Sequence, residues 1–531
     1  MIQGSAFHFI ENALRNPQMI DAATALYENR LHDAEPLLKA RLREMPFDVA
    51  AMRMLAELAG RIGRYQDAEN LLRRALELSP EFLAARSNLA MVLHRQGRSA
   101  EALGELENIA VIDPDHTINS NLKAAALGRI GAYEDAVEIY KEVLANGAQH
   151  PKIWMSYGHV LKTIGRQQEC IAAYRSAIAI APGLGEAYWS LANLKTVRFS
   201  DQDITAMEAA LRLNTITSDD QFHLHFALGK AYEDRKNAEL SFMHYNTGNT
   251  QRLAIVGYDP QTTERKVKQV KGRYTDDFYA KRPGFGCKSD NPIFILGMPR
   301  AGSTLIEQIL SSHTMIEGTM ELPDIPALVQ EANSAGGMDS MTAEQATAMG
   351  QAYIDRTRIQ RKTDKPYFID KLPNNWMHIG FIKLILPNAR IIDARRHPLD
   401  CCFSNFKQHF ARGQAFSYSL NDVGHYYTQY VNQMAHFDTV LPGQIHRIIH
   451  EQLIEDTEIQ VRALLAFLNL PFEESCLRFY ENDRAVQTAS SQQVRRPINR
   501  DGVGQWRMFA PWLTPLHNAL GSVLAAYPSA P

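Results

Sequence analysis

Two spacings of small and apolar residues divide the chain. In the first half small residues keep a fixed period. Gly63, Gly97, Gly131 and Gly165 stand 34 residues apart, and Ala68, Ala102, Ala136 and Cys170 follow in step. Pro46, Pro80, Pro114 and Pro182 mark a third position of that period; Ala148 holds the missing member, with Pro151 nearby. Such a repeat predicts two helices per unit. Glycine takes the left-handed turn between them. The small residue sits where the second helix crosses the first closely, and proline stops the second helix. A lone hairpin cannot bury its apolar face, so the units are expected to stack as a solenoid. Extrapolated backwards, the pattern places Ala34 at the crossing and Asn29 at the turn.

Period and pattern resemble the tetratricopeptide repeat (TPR). The fourth full unit shows it best, with Trp154, Gly158, Leu161, Cys170, Tyr174, Ala177 and Pro182. Tyr188, Leu191 and Ala192 begin a further first helix; the register is then lost around residues 198–217, and a degenerate hairpin is expected over 218–252. Trp154, Tyr188 and Trp189 read as core residues.

After Pro292 the pattern changes. The apolar run Ile293-Phe-Ile-Leu leads into Gly297-Met-Pro-Arg-Ala-Gly-Ser-Thr and then a helix beginning Leu305-Ile-Glu-Gln-Ile-Leu. Residues 389–395 form a second apolar strand before Pro398 and a helix, and residues 447–450 a third, before a helix at 457–468. Alternating strands and helices predict a parallel sheet of the α/β class. Between the halves, residues 261–270 read as a charged helix and residues 281–286 as a linker.

At 531 residues the chain needs more than one core. A net charge of −3 argues against a dedicated nucleic-acid binder while leaving room for a local basic pocket. Five cysteines without metal-ligand spacing suit a reducing compartment. The N-terminus does not read as a secretory signal, and no apolar run reaches eighteen residues, so a cytoplasmic protein without membrane association is expected. The eighteen histidines include no H-E-x-x-H, and no metal is expected.

The turn after the first strand carries the chemistry. Small residues let backbone N–H groups approach an anion, and the following helix adds its positive end. Arg300, Ala301, Gly302, Ser303 and Thr304 supply a guanidinium, backbone N–H groups and hydroxyls. A nucleoside-triphosphate loop needs Lys before Ser303, where Gly302 stands, which disfavours a kinase or ATPase.

This loop resembles the 5′-phosphosulfate loop of sulfotransferases, which grips 3′-phosphoadenosine 5′-phosphosulfate (PAPS). The family's second signature is an arginine ending a strand with a serine eight residues on; Arg396 and Ser404 match it, with Arg395 as the adjacent alternative. The resemblance implies that this pair holds the 3′-phosphate. Over about residues 291–510 the chain is similar to tyrosylprotein sulfotransferases and their bacterial TPR-fused relatives. That likeness implies Glu321, in Glu321-Leu-Pro-Asp-Ile-Pro, as general base, with Glu317 as runner-up. It implies Lys371, in Asp370-Lys-Leu-Pro, as the cation on the bridging oxygen. The first residue of that motif departs from the family's Asn, so a neighbour is expected to neutralise Lys371 in part. Ser490 would be the transition-state hydroxyl, and Arg495 and Arg496 would reach the 3′-phosphate or close a lid over it. Gln505 replaces the family's late Lys, with Arg500 or Arg507 as substitutes, and His450 replaces a Tyr at a nucleotide contact. His397 is expected near the nucleotide.

The expected organisation is a TPR-like domain over 1–252, a helical linker over 253–290 and a PAPS-dependent sulfotransferase domain over 291–531. The expected reaction moves a sulfuryl group from PAPS to a hydroxyl, a protein or peptide tyrosine first, leaving adenosine 3′,5′-bisphosphate. A carbohydrate or small-molecule acceptor, and an inert scaffold, are the alternatives. The repeats are expected to offer a concave face to the polypeptide acceptor or a partner protein, with a homo-oligomer possible and no nucleic acid bound.

Overall fold

The computed structural model describes residues 15–113, 119–147, 150–410, 413–486, 488 and 491–528. The chain separates into two compact units, Met1–Val160 and Leu161–Pro531.

The first unit is built of antiparallel helix pairs: Pro17–Tyr27 with Leu31–Glu44, Val49–Arg61 with Tyr65–Leu78, Leu83–Arg95 with Ser99–Ile112, and Ser120–Ile130 with Tyr133–Ala145. The 34-residue punctuation explains each pair. Gly63, Gly97 and Gly131 adopt φ of 80°, 84° and 85°, and Asn29 takes the same left-handed turn at φ 58°. Ala34, Ala68, Ala102 and Ala136 are fully buried at the helix crossings. Between pairs, Leu72, Leu89, Val92 and Leu106 join one continuous core, as stacked repeats require. Asp48 caps the helix that follows it by accepting from the N–H groups of Ala50 and Ala51, and Arg41 donates to it at 2.7 Å.

Helices continue into the second unit as Gln167–Ile180, Gly185–Ala192, Asp201–Leu211, Ser218–Asp234 and Ala238–Val256. Here the regularity fails. The stretch from Asn193 to Ser200 is longer than the two- and three-residue turns within the pairs before it, and a capping box between Ser200 and Asp203 restarts the helix. The degenerate hairpin expected over 218–252 forms. The charged helix spans Pro260–Arg273, and the residues read as a linker dock on the sheet domain through Cys287 N–H donating to Ile385 O at 2.8 Å.

The sheet has five parallel strands in the order β2-β3-β1-β4-β5: β1 Pro292–Gly297, β2 Ile316–Gly318, β3 Tyr367–Asp370, β4 Arg390–Arg395 and β5 Ile445–Ile449. β1 is central and wholly buried, with Gly297 opposite Ala394 of β4 and Pro292 opposite Phe368 of β3. The chain leaves β1 for the far edge at β2, returns through β3, and crosses to β4. This reversal opens a crevice beyond the carboxyl end of β1, where open α/β sheets bind ligands.

Candidate active site

All five strands deliver residues to that carboxyl edge. From β2 the loop brings Glu321, from β3 Lys371, from β1 the turn at residues 298–302, from β4 Arg396, and from β5 His450. Strand order thus ranks the groups across the edge, with the carboxylate–lysine pair on one side of the turn and the arginine–histidine pair on the other.

The turn itself is strained. Arg300 holds φ 66° and Gly302 φ 98°, and a left-handed non-glycine residue costs about 1–2 kcal/mol. The helix Ser303–Ser311 starts immediately afterwards; Leu305 and Ile306 N–H donate to Gly302 O, and Ser303 and Thr304, the first residues of the helix, line the crevice. Arg300 donates from Nε to Ser404 Oγ at 3.2 Å. Arg396 donates to Arg300 O at 3.0 Å and also to Gly502 O. The two anion signatures of the sequence are therefore one structure. Asn405 holds the turn from behind, donating to Pro299 O at 2.7 Å. A Cβ at Gly302 would lie 2.6 Å from His450 Nδ1, so only glycine lets the histidine pack on the turn. Burial, then the like charge of Arg396, pushes the Arg300 guanidinium down to about 10. Burial, with Arg396 and Arg300, pushes His450 down to about 3, which favours the neutral imidazole.

These groups line a cavity of about 550 Å³ that also takes in Ser303, Thr304, Arg496 and Gly502. Its cations include Arg300, Arg396, Arg496, Lys407, Lys195, Lys230 and Arg198; its acids are Glu233, Asp234 and Asp501. Such an excess fits a ligand with several negative charges. Among the described residues, Arg396 Nε, His450 Nδ1, Asp234 Oδ2 and Gln408 Oε1 of this lining are buried without a hydrogen-bond partner.

Glu321 and Lys371 lie outside the cavity lining, on the β2–β3 side. Thr319 ties the loop after β2 to β3 by donating to Ile369 O at 2.5 Å. Lys371, almost wholly buried, donates to Glu321 Oε1 at 2.5 Å, while the Glu321 side chain is 47% exposed. The expected neutralising neighbour of Lys371 is thus Glu321 rather than Asp370. Asp370 accepts from Tyr353 OH at 2.9 Å, and burial pushes its carboxyl up to about 8. Glu317 is engaged elsewhere. It is buried and accepts from Lys362 N–H, Thr363 N–H and Thr363 Oγ1, which fixes the loop before β3.

Ala301 is buried within the turn. Arg495 points away from the cavity, donating to Arg484 O at 3.1 Å and packing on Gly165. Ser490 lies outside the described residues. Arg395 is an internal strut, paired with Asp393 at 2.9 Å and lying over the Tyr430 ring. His397 stacks on Trp506 and does not line the cavity. Neither Arg500, 4.0 Å from Glu455, nor Arg507, over the Trp506 ring, lines the cavity beside Gln505.

Sequence reading missed Lys407 and Lys195. Lys407 donates to Gln505 Oε1 at 3.2 Å and to Glu233 Oε1 at 2.6 Å, which puts an ammonium beside the glutamine. It follows Ser404 by three residues, and that helical spacing was the available signal. Lys195 lies in the stretch where the repeat register fails.

The Sulfotransferase family matches residues 292–474, and the Tetratricopeptide repeat matches residues 53–117 and 121–184. An uncharacterized protein of Aquifex aeolicus is 30% identical over 72% of this chain and 52% of its own, so the match spans about half of that relative's length. Protein-tyrosine sulfotransferase 1 of Danio rerio is 26% identical over 40% of this chain and 65% of its own. Among solved structures, the sulfotransferase domain from the curacin biosynthetic pathway aligns at a TM-score of 0.34 and 19% identity, covering 45% of this chain and 98% of that one.

Proposed function

We propose that this chain, which carries a sulfotransferase domain at 292–474 and tetratricopeptide repeats before it, transfers the sulfuryl group of PAPS to a tyrosine hydroxyl of a protein or peptide. The observation that carries the reading is a cationic cavity in which Arg300, Ser404 and Arg396 are joined by hydrogen bonds. Its volume and its surplus of cations fit a nucleotide bearing phosphates at both ends.

When bound, PAPS supplies an activated sulfuryl group on a phosphate leaving group. The residues of the chain do the rest. The backbone N–H groups after Gly302, with Ser303 and Thr304, hold the 5′ end at a positive helix terminus. Arg396 and Ser404 hold the 3′-phosphate; Lys407, beside Gln505, adds charge where the family's late Lys would stand. Glu321, whose side chain is part exposed, takes the proton of the incoming hydroxyl. Lys371 shares its ammonium between Glu321 and the developing charge, so placement and fixed charge supply the catalysis. The repeats are suited to present the polypeptide, as their role in protein–protein association suggests. Catalysis by the domain family and the pairing of Glu321 with Lys371 speak against the inert scaffold.

The test is transfer of labelled sulfate from PAPS to polypeptides of a host lysate by the full chain. Recovery of the label as tyrosine O-sulfate is the expected result. Label on carbohydrate alone would replace the tyrosine reading, and no transfer would remove the reaction.

A further inference from the structure

The cavity has a wall that does not come from the sulfotransferase domain. The stretch from Asn193 to Ser200, between the helices Gly185–Ala192 and Asp201–Leu211, places Lys195, Thr196 and Arg198 in its lining. The next hairpin adds Lys230 and Glu233. This is where the 34-residue register breaks.

Lys195 is unusual in three respects. Its backbone is left-handed, at φ 64°, which a Gly or Asn would hold at less cost. Lys236 shares that conformation, but in an exposed turn that closes a hairpin; Lys195 holds it on the cavity wall. Its ammonium lies over the Trp189 ring, 5.2 Å from the centroid, which fixes the side chain against a buried aromatic. The surrounding charge is also mostly positive. Lys230 pairs with Asp234 at 2.6 Å and Lys407 with Glu233 at 2.6 Å, so these two carboxylates already have cation partners. Burial, then the like charges of Arg300 and Lys230, pulls Lys195 well below the usual lysine range. A chain that gathers Lys195 and Arg300 on one cavity, both in strained backbone, keeps them there for an anion.

We propose that Lys195, from the helical-repeat segment, is a binding residue for an oxyanion of the nucleotide sulfate donor, so that the irregular repeat completes the donor pocket. The inference rests on the PAPS reading above and extends it beyond the sulfotransferase domain. The repeat segment then does more than recruit an acceptor: its position governs donor affinity.

The experiment uses the full chain, with calorimetric titration of adenosine 3′,5′-bisphosphate at several salt concentrations. Lys195→Met keeps the stem over Trp189 and removes the charge. Lys195→Gly also relieves the left-handed backbone. Both variants are expected to bind roughly 10- to 100-fold more weakly than the natural protein, as for loss of a hydrogen bond to a charged group. Their affinity should also depend less steeply on salt, since one charge contact is gone. Natural affinity in both variants would overturn the role of Lys195 while leaving the PAPS reading intact. Weaker binding with an unchanged salt dependence would also overturn it, because distortion of the wall would act that way. Failure of the natural protein to bind the bisphosphate would remove both.

Discussion

The regular turns of the first unit and the turn at Lys195 ask the same thing of the backbone and fill it differently. Gly63 and Gly97 are left-handed with nothing within 4 Å of a would-be Cβ, so they serve geometry alone. Lys195 accepts the strain and places an ammonium on a cationic cavity. The same contrast divides the sheet domain. Glu317 is buried and hydrogen-bonded to the loop before β3, whereas Glu321, four residues on, keeps its side chain 47% exposed beside Lys371. In each comparison one residue serves the chain's own geometry, while the other keeps a charged group at the site.

If that division holds, substitutions sort into two groups. The largest effect should come from Glu321→Ala, which is expected to lower sulfate transfer about 10²- to 10⁴-fold with bisphosphate affinity unchanged, as measured by initial rates and titration. Next, Arg396→Ala should weaken bisphosphate binding roughly 10- to 100-fold in calorimetry, since a buried charged donor is removed. Glu317→Ala tests the other side. It should destabilise by about 2 kcal/mol in denaturant unfolding, because two N–H groups and a hydroxyl lose their acceptor, yet leave the affinity of the folded protein unchanged. A large loss of transfer from Glu317→Ala at full occupancy would break the contrast.

Asp370 sharpens it through pH. Its folded carboxyl is pushed up to about 8 by burial, far above the ordinary value near 4. Between those values the folded state keeps a proton that the unfolded chain has released, so stability should fall as pH rises through that window. Asp370→Asn removes this dependence, and the difference between the two unfolding curves should decline from pH 4 to pH 8. The smallest effect is expected at Gly97→Ala, about 1 kcal/mol of stability from the left-handed turn, with no change in donor binding.

Much of this was legible in the sequence because the features repeat or are local. The 34-residue marks located the helix pairs, including the pair whose turn carries Asn29 in place of glycine. The runs at 293–296, 389–395 and 447–450 located β1, β4 and β5. β2 and β3 escaped because strands of three and four residues, Ile316–Gly318 and Tyr367–Asp370, are too short to show a period. They exist through pairing with β1 and with each other, which only the assembled sheet supplies. Among site residues, the turn from Arg300 to Thr304 and the Arg396–Ser404 spacing were visible as motifs. Arg495 was not separable from Arg496 by sequence, since Arg495 ends a short 3₁₀ turn and Arg496 is extended, so the two face different ways; the Arg495 side chain goes to the backbone at Thr163 and Arg484. Lys195 was hidden for the opposite reason: a broken repeat looks like decay until the fold shows what the longer turn reaches.

The most direct measurement is the shift in melting temperature of the full chain with adenosine 3′,5′-bisphosphate against adenosine 5′-phosphate. With the bisphosphate at a hundred times its Kd, stabilisation of about 2.7 kcal/mol is predicted, and a much smaller one for the nucleotide lacking the 3′-phosphate at the same concentration. Equal shifts from the two nucleotides, or none from either, would contradict a pocket in which Arg300, Ser404 and Arg396 act together on a doubly phosphorylated adenosine.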